Sequence, residues 1–130
     1  MAGESALGFL LRFLREQRGL SLRELGRLAE VDHAYIHRLE TGGKESPSAE
    51  VIGKLVKALK AGKREADMLF YLAAHPDTSA ELVTLVARDP TVTYHVFAGA
   101  AAMAFRGKRP NFEQIIQRVR SFLDDDDGNG

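Results

Sequence analysis

The sequence contains no cysteine and no excess of charge of either sign. The absence of cysteine excludes disulfides, a thiol nucleophile and cysteine-based zinc sites, and it fits a reducing cytosol. The longest weakly polar run, residues 91–105, is too short and too rich in alanine to span a bilayer. Charged residues interrupt the apolar segment 7–14, so no signal peptide is expected. We therefore expect a soluble, cytoplasmic protein with no membrane partner.

The charges are distributed unevenly although their sum is zero. Residues 1–64 carry 12 Lys and Arg against 8 Asp and Glu, whereas residues 65–130 carry 6 against 10. The run from Asp124 to Asp127 supplies the acidic excess of the second half. A basic first half with an acidic tail favours nucleic-acid binding more than the balanced total suggests.

Apolar residues recur at helical spacing along the whole chain and predict an all-α fold of eight helices without strands. We expect an N-terminal five-helix DNA-binding bundle followed by a small C-terminal helical dimerisation domain, with domains at 1–64 and 65–123. Gly19 is expected to end the first helix in the left-handed conformation. The last predicted helix ends at Leu123. Residues 124–130 should form a disordered acidic tail, because their charges repel each other and oppose the helix dipole.

Residues 21–41 have the sequence form of a helix-turn-helix. The segment Ser21-Leu22-Arg23-Glu24 is a capping box, and Leu22, Leu25, Leu28 and Ala29 follow as one apolar stripe. Asp32 can cap a second helix whose inward positions are Val31, Ile36 and Leu39. The outward side of that helix is short and polar enough to enter a DNA major groove. The residues expected nearest the bases are His33, Ala34 and His37, and Arg38 can reach either a guanine or a phosphate. The residues expected near the phosphates are Ser21, Arg23, Tyr35, Thr41 and Lys44.

Residues 21–41 have two other possible interpretations. The first is a helical hairpin with no role in DNA binding. The second is a metal site, because His33 and His37 lie one turn apart beside Asp32; the segment lacks the glutamate of a zinc peptidase, and no further ligand is near in sequence. We expect no metal, no cofactor and no catalytic activity. If both histidines contact DNA as imidazolium, binding should strengthen as the pH falls through about 6.5.

The first and last predicted helices each carry an apolar face that a single DNA-binding bundle would leave exposed. Phe9 and Phe13 form a second stripe on the first helix, about 200° from its inward leucines, which the second half of the chain should cover. The last helix carries a continuous apolar seam that suits either a neighbouring helix or a second subunit. We expect this seam to form a homodimer, because readers of this type usually need two half-sites. Its residues are Phe112, Ile115, Ile116, Val119, Phe122 and Leu123.

Residues 7–59 resemble the Cro/C1-type (XRE) family of transcription regulators. The matching segments are Leu7-Gly8, Leu11-Arg12, Leu14-Arg15, Gly19-Leu20-Ser21-Leu22, Glu24-Leu25, Val31, Tyr35-Ile36, Leu39-Glu40, Gly42 and Pro47-Ser48. Gly26 replaces the usual alanine, a change interpreted as harmless. Glu30 occupies the turn position where the family usually has glycine, so a non-glycine residue is expected at positive φ.

The second half resembles the C-terminal part of DdrO-like repressors. The resemblance rests on residues 85–91 (LVARDPT) and 105–110 (FRGKRP), which precede the last amphipathic helix. In that family an ImmA/IrrE-type metallopeptidase cuts the repressor before the Arg-Gly-Lys-Arg-Pro loop and ends repression. The resemblance implies a stress-response repressor that binds operator DNA as a homodimer, with the scissile bond at Phe105–Arg106. A plain solvated loop is the alternative for this segment.

Two alternative functions stay open at the level of the sequence. The first is an antitoxin, in which the C-terminal half covers a toxin and the protein regulates its own operon. The second is a protein-binding XRE module, for which no salt-dependent DNA binding is expected.

Overall fold

A computed structural model describes residues 5–42, 46–103 and 111–129, with side chains in the last range as far as Asp124. Within these ranges the regular structure is entirely helical, which confirms the predicted fold class. The helices are α1 (Ala6–Gln17), α2 (Leu22–Ala29), α3 (His33–Glu40), α4 (Ala49–Leu59), α5 (Lys63–Ala74), α6 (Ala80–Arg88), α7 (Tyr94–Met103) and α8 (Phe112–Asn129). None of these described helices is long and apolar enough to cross a membrane.

Local capping residues determine where most helices begin. The side chains of Ser5, Ser21, Asp32, Ser48 and Ser79 each accept a hydrogen bond from a backbone N–H in the first turn that follows. At the other end of α1, Gly19 has φ 65°, as predicted. The Gly19 N–H donates to Glu16 O at 2.9 Å and the Leu20 N–H to Arg15 O at 3.1 Å, which is the hydrogen-bond pattern of a Schellman motif.

Helix α1 lies between the helix-turn-helix and the C-terminal helices. It contacts α3 and α5, and it also contacts α6 from the second half of the chain. Phe9 and Phe13 stack with their ring centroids 5.8 Å apart and are partly buried against the common core. The second half therefore packs on α1, as the second aromatic stripe predicts. The buried leucines of α1 are Leu7, Leu10, Leu11 and Leu14.

The apolar seam of α8 is divided between the protein interior and the surface. Phe112, Ile116 and Val119 are buried within the chain, where α8 packs against α7 and α6. A Cβ atom at Gly99 of α7 would lie 2.9 Å from Val119 Cγ1, so this glycine permits a close approach of the two helices. The side chain of Phe122 is 68% exposed. Half of the predicted seam therefore belongs to the core of a single chain, and dimerisation through the seam stays a prediction.

Two predicted helix boundaries also change. Helix α8 continues to Asn129 instead of ending at Leu123. Extending an existing helix needs no new nucleation step and adds one backbone hydrogen bond per residue. Apolar spacing predicts that the seventh helix begins at Thr91. The observed α7 begins at Tyr94, because the Thr93 hydroxyl accepts from the Val96 N–H at 3.2 Å and caps the helix there.

Gly8 sets the distance between α1 and the end of α3. A Cβ atom at this position would lie 2.6 Å from Leu39 O and 2.7 Å from Glu40 O, and both of these are backbone atoms. We expect Gly8→Ala to lower the free energy of unfolding by about 2 kcal/mol, as overpacking of a core does. Urea denaturation would measure the change.

Gly53 provides the matched control in this experiment, since it lies inside α4 and a Cβ atom there would meet nothing within 4 Å. Gly53→Ala should stabilise the protein by up to about 1 kcal/mol, because alanine has the higher helix propensity. Equal effects of the two substitutions would contradict the close approach of α1 to α3.

Candidate nucleic-acid interface

The turn between α2 and α3 depends on two unusual residues. Glu30 has φ 57° and ψ 44°, so a non-glycine residue does occupy the left-handed region, as predicted. The Val31 N–H closes the turn by donating to Gly26 O at 3.0 Å. A Cβ atom at Gly26 would lie 2.8 Å from Val31 O and 3.1 Å from His33 Cβ. Gly26 is therefore part of the geometry of the turn, which corrects its interpretation as a harmless replacement.

Helix α2 begins with the predicted capping box. The Ser21 Oγ accepts from the Glu24 N–H at 3.0 Å, and Glu24 Oε1 accepts from the Ser21 N–H at 2.8 Å. The hydrogen bond that the Ser21 N–H donates to the Glu24 carboxylate, followed by the effect of the Ser21 side chain, lowers the pKa of Glu24 below its ordinary value. Leu25 and Ala29 face the core, whereas Leu28, which the sequence places on the same stripe, is exposed. Ser21 and Arg23 are both exposed on the first turn of this helix.

Helix α3 has one buried side and one exposed polar side. Ile36 and Leu39 are buried, and the Asp32 carboxylate caps the helix by accepting from the Ala34 N–H at 3.0 Å. The structure places the predicted base-contacting residues together on the exposed side, at successive positions of one helix face. These residues are His33, Ala34, His37 and Arg38, and Thr41 follows as an exposed residue at the end of the helix.

Two contacts limit the freedom of this exposed side. The Arg38 guanidinium lies 5.4 Å from the centroid of the half-buried Tyr35 ring, a cation–π distance. The Thr41 hydroxyl donates to His37 O at 2.9 Å. Tyr35 therefore holds Arg38 against the helix, and Thr41 closes the last turn.

A buried ion pair ties the end of α3 to α1. Arg15 Nε donates to Glu40 Oε2 at 2.7 Å and Nη2 donates to Oε1 at 2.9 Å, while Nη1 donates to Leu20 O at 2.8 Å. Glu40 is only 4% exposed. The hydrogen bonds to Glu40 raise the pKa of Arg15 above its ordinary value, against the smaller opposing effect of burial. Since both carboxylate oxygens accept from the same planar guanidinium, the pair fixes both the position and the angle of α3 relative to α1.

This ion pair was not predicted from the sequence, although the helical register places Glu40 at an inward position. Glu40 follows the inward Ile36 by four residues, so both side chains lie on the same side of α3. A charged residue at an inward position requires a buried partner. The partner itself, Arg15, could not be assigned from local spacing because it lies 25 residues earlier.

The paired histidines do not form part of a larger ligand cluster in the part of the chain that the structure describes. His33 and His37 are both exposed. Among the described residues, no three His, Cys, Asp or Glu side chains are grouped so that they could hold a metal ion. Lys44, which the sequence places near the phosphates, lies outside the described residues.

Comparisons with known proteins agree with this geometry. A helix-turn-helix domain family model matches residues 6–69, which include α1 to α4 and the first half of α5. The HTH-type transcriptional regulator DdrOP3 of Deinococcus deserti is 30% identical over 126 aligned positions, covering 88% of this chain and 95% of that protein. The likeness therefore extends well beyond the residues that the family model matches. The chain belongs to the XRE-type family of helix-turn-helix, DNA-binding transcriptional regulators.

Proposed function

We propose that this protein is a transcriptional repressor that binds operator DNA as a homodimer, with α3 of each subunit in the major groove. The observation that carries the proposal is the exposed polar side of α3, held in a fixed orientation by the Arg15–Glu40 pair. His33, Ala34, His37 and Arg38 would face the base edges, while Ser21, Arg23, Tyr35 and Thr41 would contact phosphates. Lys44 is assigned to the phosphates from the sequence alone.

The charge around α3 explains why one subunit alone should bind weakly. Glu30 and Asp32 are exposed beside the first turn of this helix and repel the DNA backbone. The whole chain has no net positive charge to compensate for them. Two linked readers make the second half-site contact intramolecular, which can raise affinity by 10²–10⁴-fold. Dimerisation is therefore expected to be a condition for useful repression.

The recognition side of α3 can be tested on DNA that the native protein selects from a random pool. Arg38→Ala and His37→Ala should each weaken binding about 5- to 150-fold, because a base contact contributes about 1–3 kcal/mol. Fluorescence anisotropy at several salt concentrations would measure the affinities, and log Kd should rise linearly with log salt.

Matched controls lie on the C-terminal helices. Arg88→Ala on α6 removes an equal charge and His95→Ala on α7 removes an exposed histidine, and both should leave affinity within about twofold. If the control substitutions weakened binding as much as those on α3, the proposed interface would be wrong. Absence of any salt-dependent binding would favour the protein-binding alternative instead.

The proposed dimer contact uses the apolar side chains that the core of one chain leaves exposed. Phe122 on α8 is 68% exposed and Met103 on α7 is 51% exposed, while Ile115 is half-buried. Three other members of the predicted seam are buried and attach α8 to the core of its own chain: Phe112, Ile116 and Val119. Leu123 is half-buried and packs against the core.

We expect Phe122→Ser to convert the dimer to a monomer and to weaken operator binding at least about tenfold, since the intramolecular second contact is lost. Sedimentation velocity would give the mass, and circular dichroism would show whether the fold is intact. Phe70→Ser on α5 removes another exposed phenylalanine and should leave the mass unchanged. A Phe122→Ser protein that stayed dimeric would exclude this contact.

We further propose that an ImmA/IrrE-type metallopeptidase inactivates the repressor in a stress response by cutting at Phe105–Arg106. This bond lies between α7 and α8, outside the described residues. Loss of α8 would remove Phe122 and would also uncover the surfaces that Phe112, Ile116 and Val119 bury, at about 2 kcal/mol for each side chain. In the test, the protein is digested with the metallopeptidase, and mass spectrometry should find a cut at Phe105–Arg106. Sedimentation velocity should show that the product is monomeric. An intact chain, or a cut elsewhere, would rule it out.

A further inference from the structure

Arg64 makes an unusual set of contacts between α5 and the C-terminal helices. Its Nη1 donates to Val86 O at 3.0 Å, to Asp89 O at 2.8 Å and to Val92 O at 2.8 Å. These three carbonyls belong to the end of α6 and to the turn that leads to α7, here called the α6–α7 corner (residues 86–93). One guanidinium nitrogen thus connects α5 to a segment that lies 22 to 28 residues later in the chain.

The chemistry of the corner suits a guanidinium. Val86 O and Asp89 O each accept one backbone hydrogen bond, from the Asp89 and Val92 N–H groups, and the C-terminal end of a helix carries partial negative charge, so a cation stabilises these carbonyls further. Glu65 holds the opposite side of the guanidinium, with Nε to Oε2 at 2.8 Å and Nη2 to Oε2 at 2.7 Å. Arg64 is only 17% exposed. A lysine ammonium could not fill both sets of contacts, because it lacks the planar fork of donors.

The same corner is also connected to α8. Asp89 Oδ1 accepts from the Thr91 N–H at 3.0 Å and from the Thr91 hydroxyl at 2.6 Å. The Arg120 Nη2 of α8 then donates to Thr91 Oγ1 at 3.4 Å. A continuous series of polar contacts therefore runs from α5 through the corner to the helix that carries Phe122.

The DNA-reading helices and the C-terminal helices are not joined by a long linker. Only residues 75–79 separate α5 from α6, and α1 contacts both α3 and α6. Apolar packing at α1, the contacts of α5 with α7 (the Tyr71 ring centroid lies 5.4 Å from that of Phe97) and the polar contacts of Arg64 thus hold the two halves together. Packing brings the helices together without directional preference, whereas hydrogen bonds to three carbonyls specify an orientation.

We propose that Arg64 is a positioning residue that fixes the orientation of the DNA-reading helices on the C-terminal helices and thereby determines which half-site spacing the dimer accepts. The inference rests on the proposed homodimeric DNA binding. Two recognition helices held rigidly match half-sites about 34 Å apart, one turn of DNA. Inserting two base pairs moves one half-site by about 7 Å and rotates it by about 70°, a displacement that a rigid dimer cannot follow.

The experiment measures affinity against spacing for the full-length protein. Its probes are the duplex that the native protein selects from a random pool, the same duplex with two base pairs inserted or removed at its centre, and a duplex with one half-site. The native protein should prefer the selected spacing about 100-fold, within the range that a second contact provides. Arg64→Ala should reduce this preference to less than about tenfold while its affinity for the single half-site changes less than twofold.

Two further variants keep the test decisive. Arg64→Lys keeps the charge and should lose the spacing preference in the same way, so it replaces Arg64→Ala if the alanine variant does not fold. Lys63→Ala removes the neighbouring cation, which is 89% exposed, and should keep the native preference.

The possible failures can be told apart. A native protein that binds selected DNA without any spacing preference would contradict the proposed dimer. If Arg64→Ala and Arg64→Lys both kept the spacing preference of the native protein, the role of Arg64 would be overturned while the proposed dimer would still stand. Equal losses on the single half-site and on the full site would also overturn it, since they would indicate general damage to the DNA-reading helices.

Discussion

The orientation of the recognition helix depends on one buried ion pair. Helix α3 has only eight residues and buries two large apolar side chains, Ile36 and Leu39. A helix of this length is not stable alone and takes its direction from its neighbours. The Arg15–Glu40 pair supplies that direction at the end of α3, where Gly8 lets the backbones of α1 and α3 approach closely. Buried ion pairs contribute little net stability because of their desolvation cost, so its main effect here is geometric specificity.

Helix α1 links this interaction to the rest of the protein. One side of the helix carries Arg15 and the leucines that face the DNA-reading bundle, and the aromatic pair Phe9 and Phe13 packs against the core to which the second half contributes. The C-terminal helices are therefore attached to the same helix that orients α3. Arg64 adds a directional contact at the α6–α7 corner. In this arrangement a change in α8 can affect DNA binding without a separate ligand site.

Local signals in the sequence were sufficient to predict most of the DNA-reading half. The capping box at Ser21 and the positive φ of Glu30 both depend on residues within one or two turns, and both were predicted. The division of the α8 seam was not predictable in the same way. Helical spacing defines an apolar side of a helix but does not determine which neighbour covers it. Val119 and Phe122 are therefore equivalent in the sequence pattern, whereas in the structure α7 covers Val119 and leaves Phe122 exposed.

The missed contacts share a physical cause. Arg15 and Arg64 bind groups that lie more than 20 residues away, and backbone carbonyls such as Asp89 O leave no trace in the side-chain pattern. Gly26 was misinterpreted for a related reason, since the steric restriction comes from the path of the following turn. The end of α8 differs from the prediction, which rested on charge repulsion, because extending an existing helix needs no new nucleation step.

The most direct test of the account measures DNA affinity after both members of the ion pair are replaced by methionine. Apolar replacement of a buried ion pair usually preserves stability, so this change separates orientation from folding. The Arg15→Met/Glu40→Met protein should remain helical by circular dichroism and bind the selected DNA at least about tenfold more weakly than the native protein. A folded double variant with native affinity would contradict the claim that this pair orients the recognition helix.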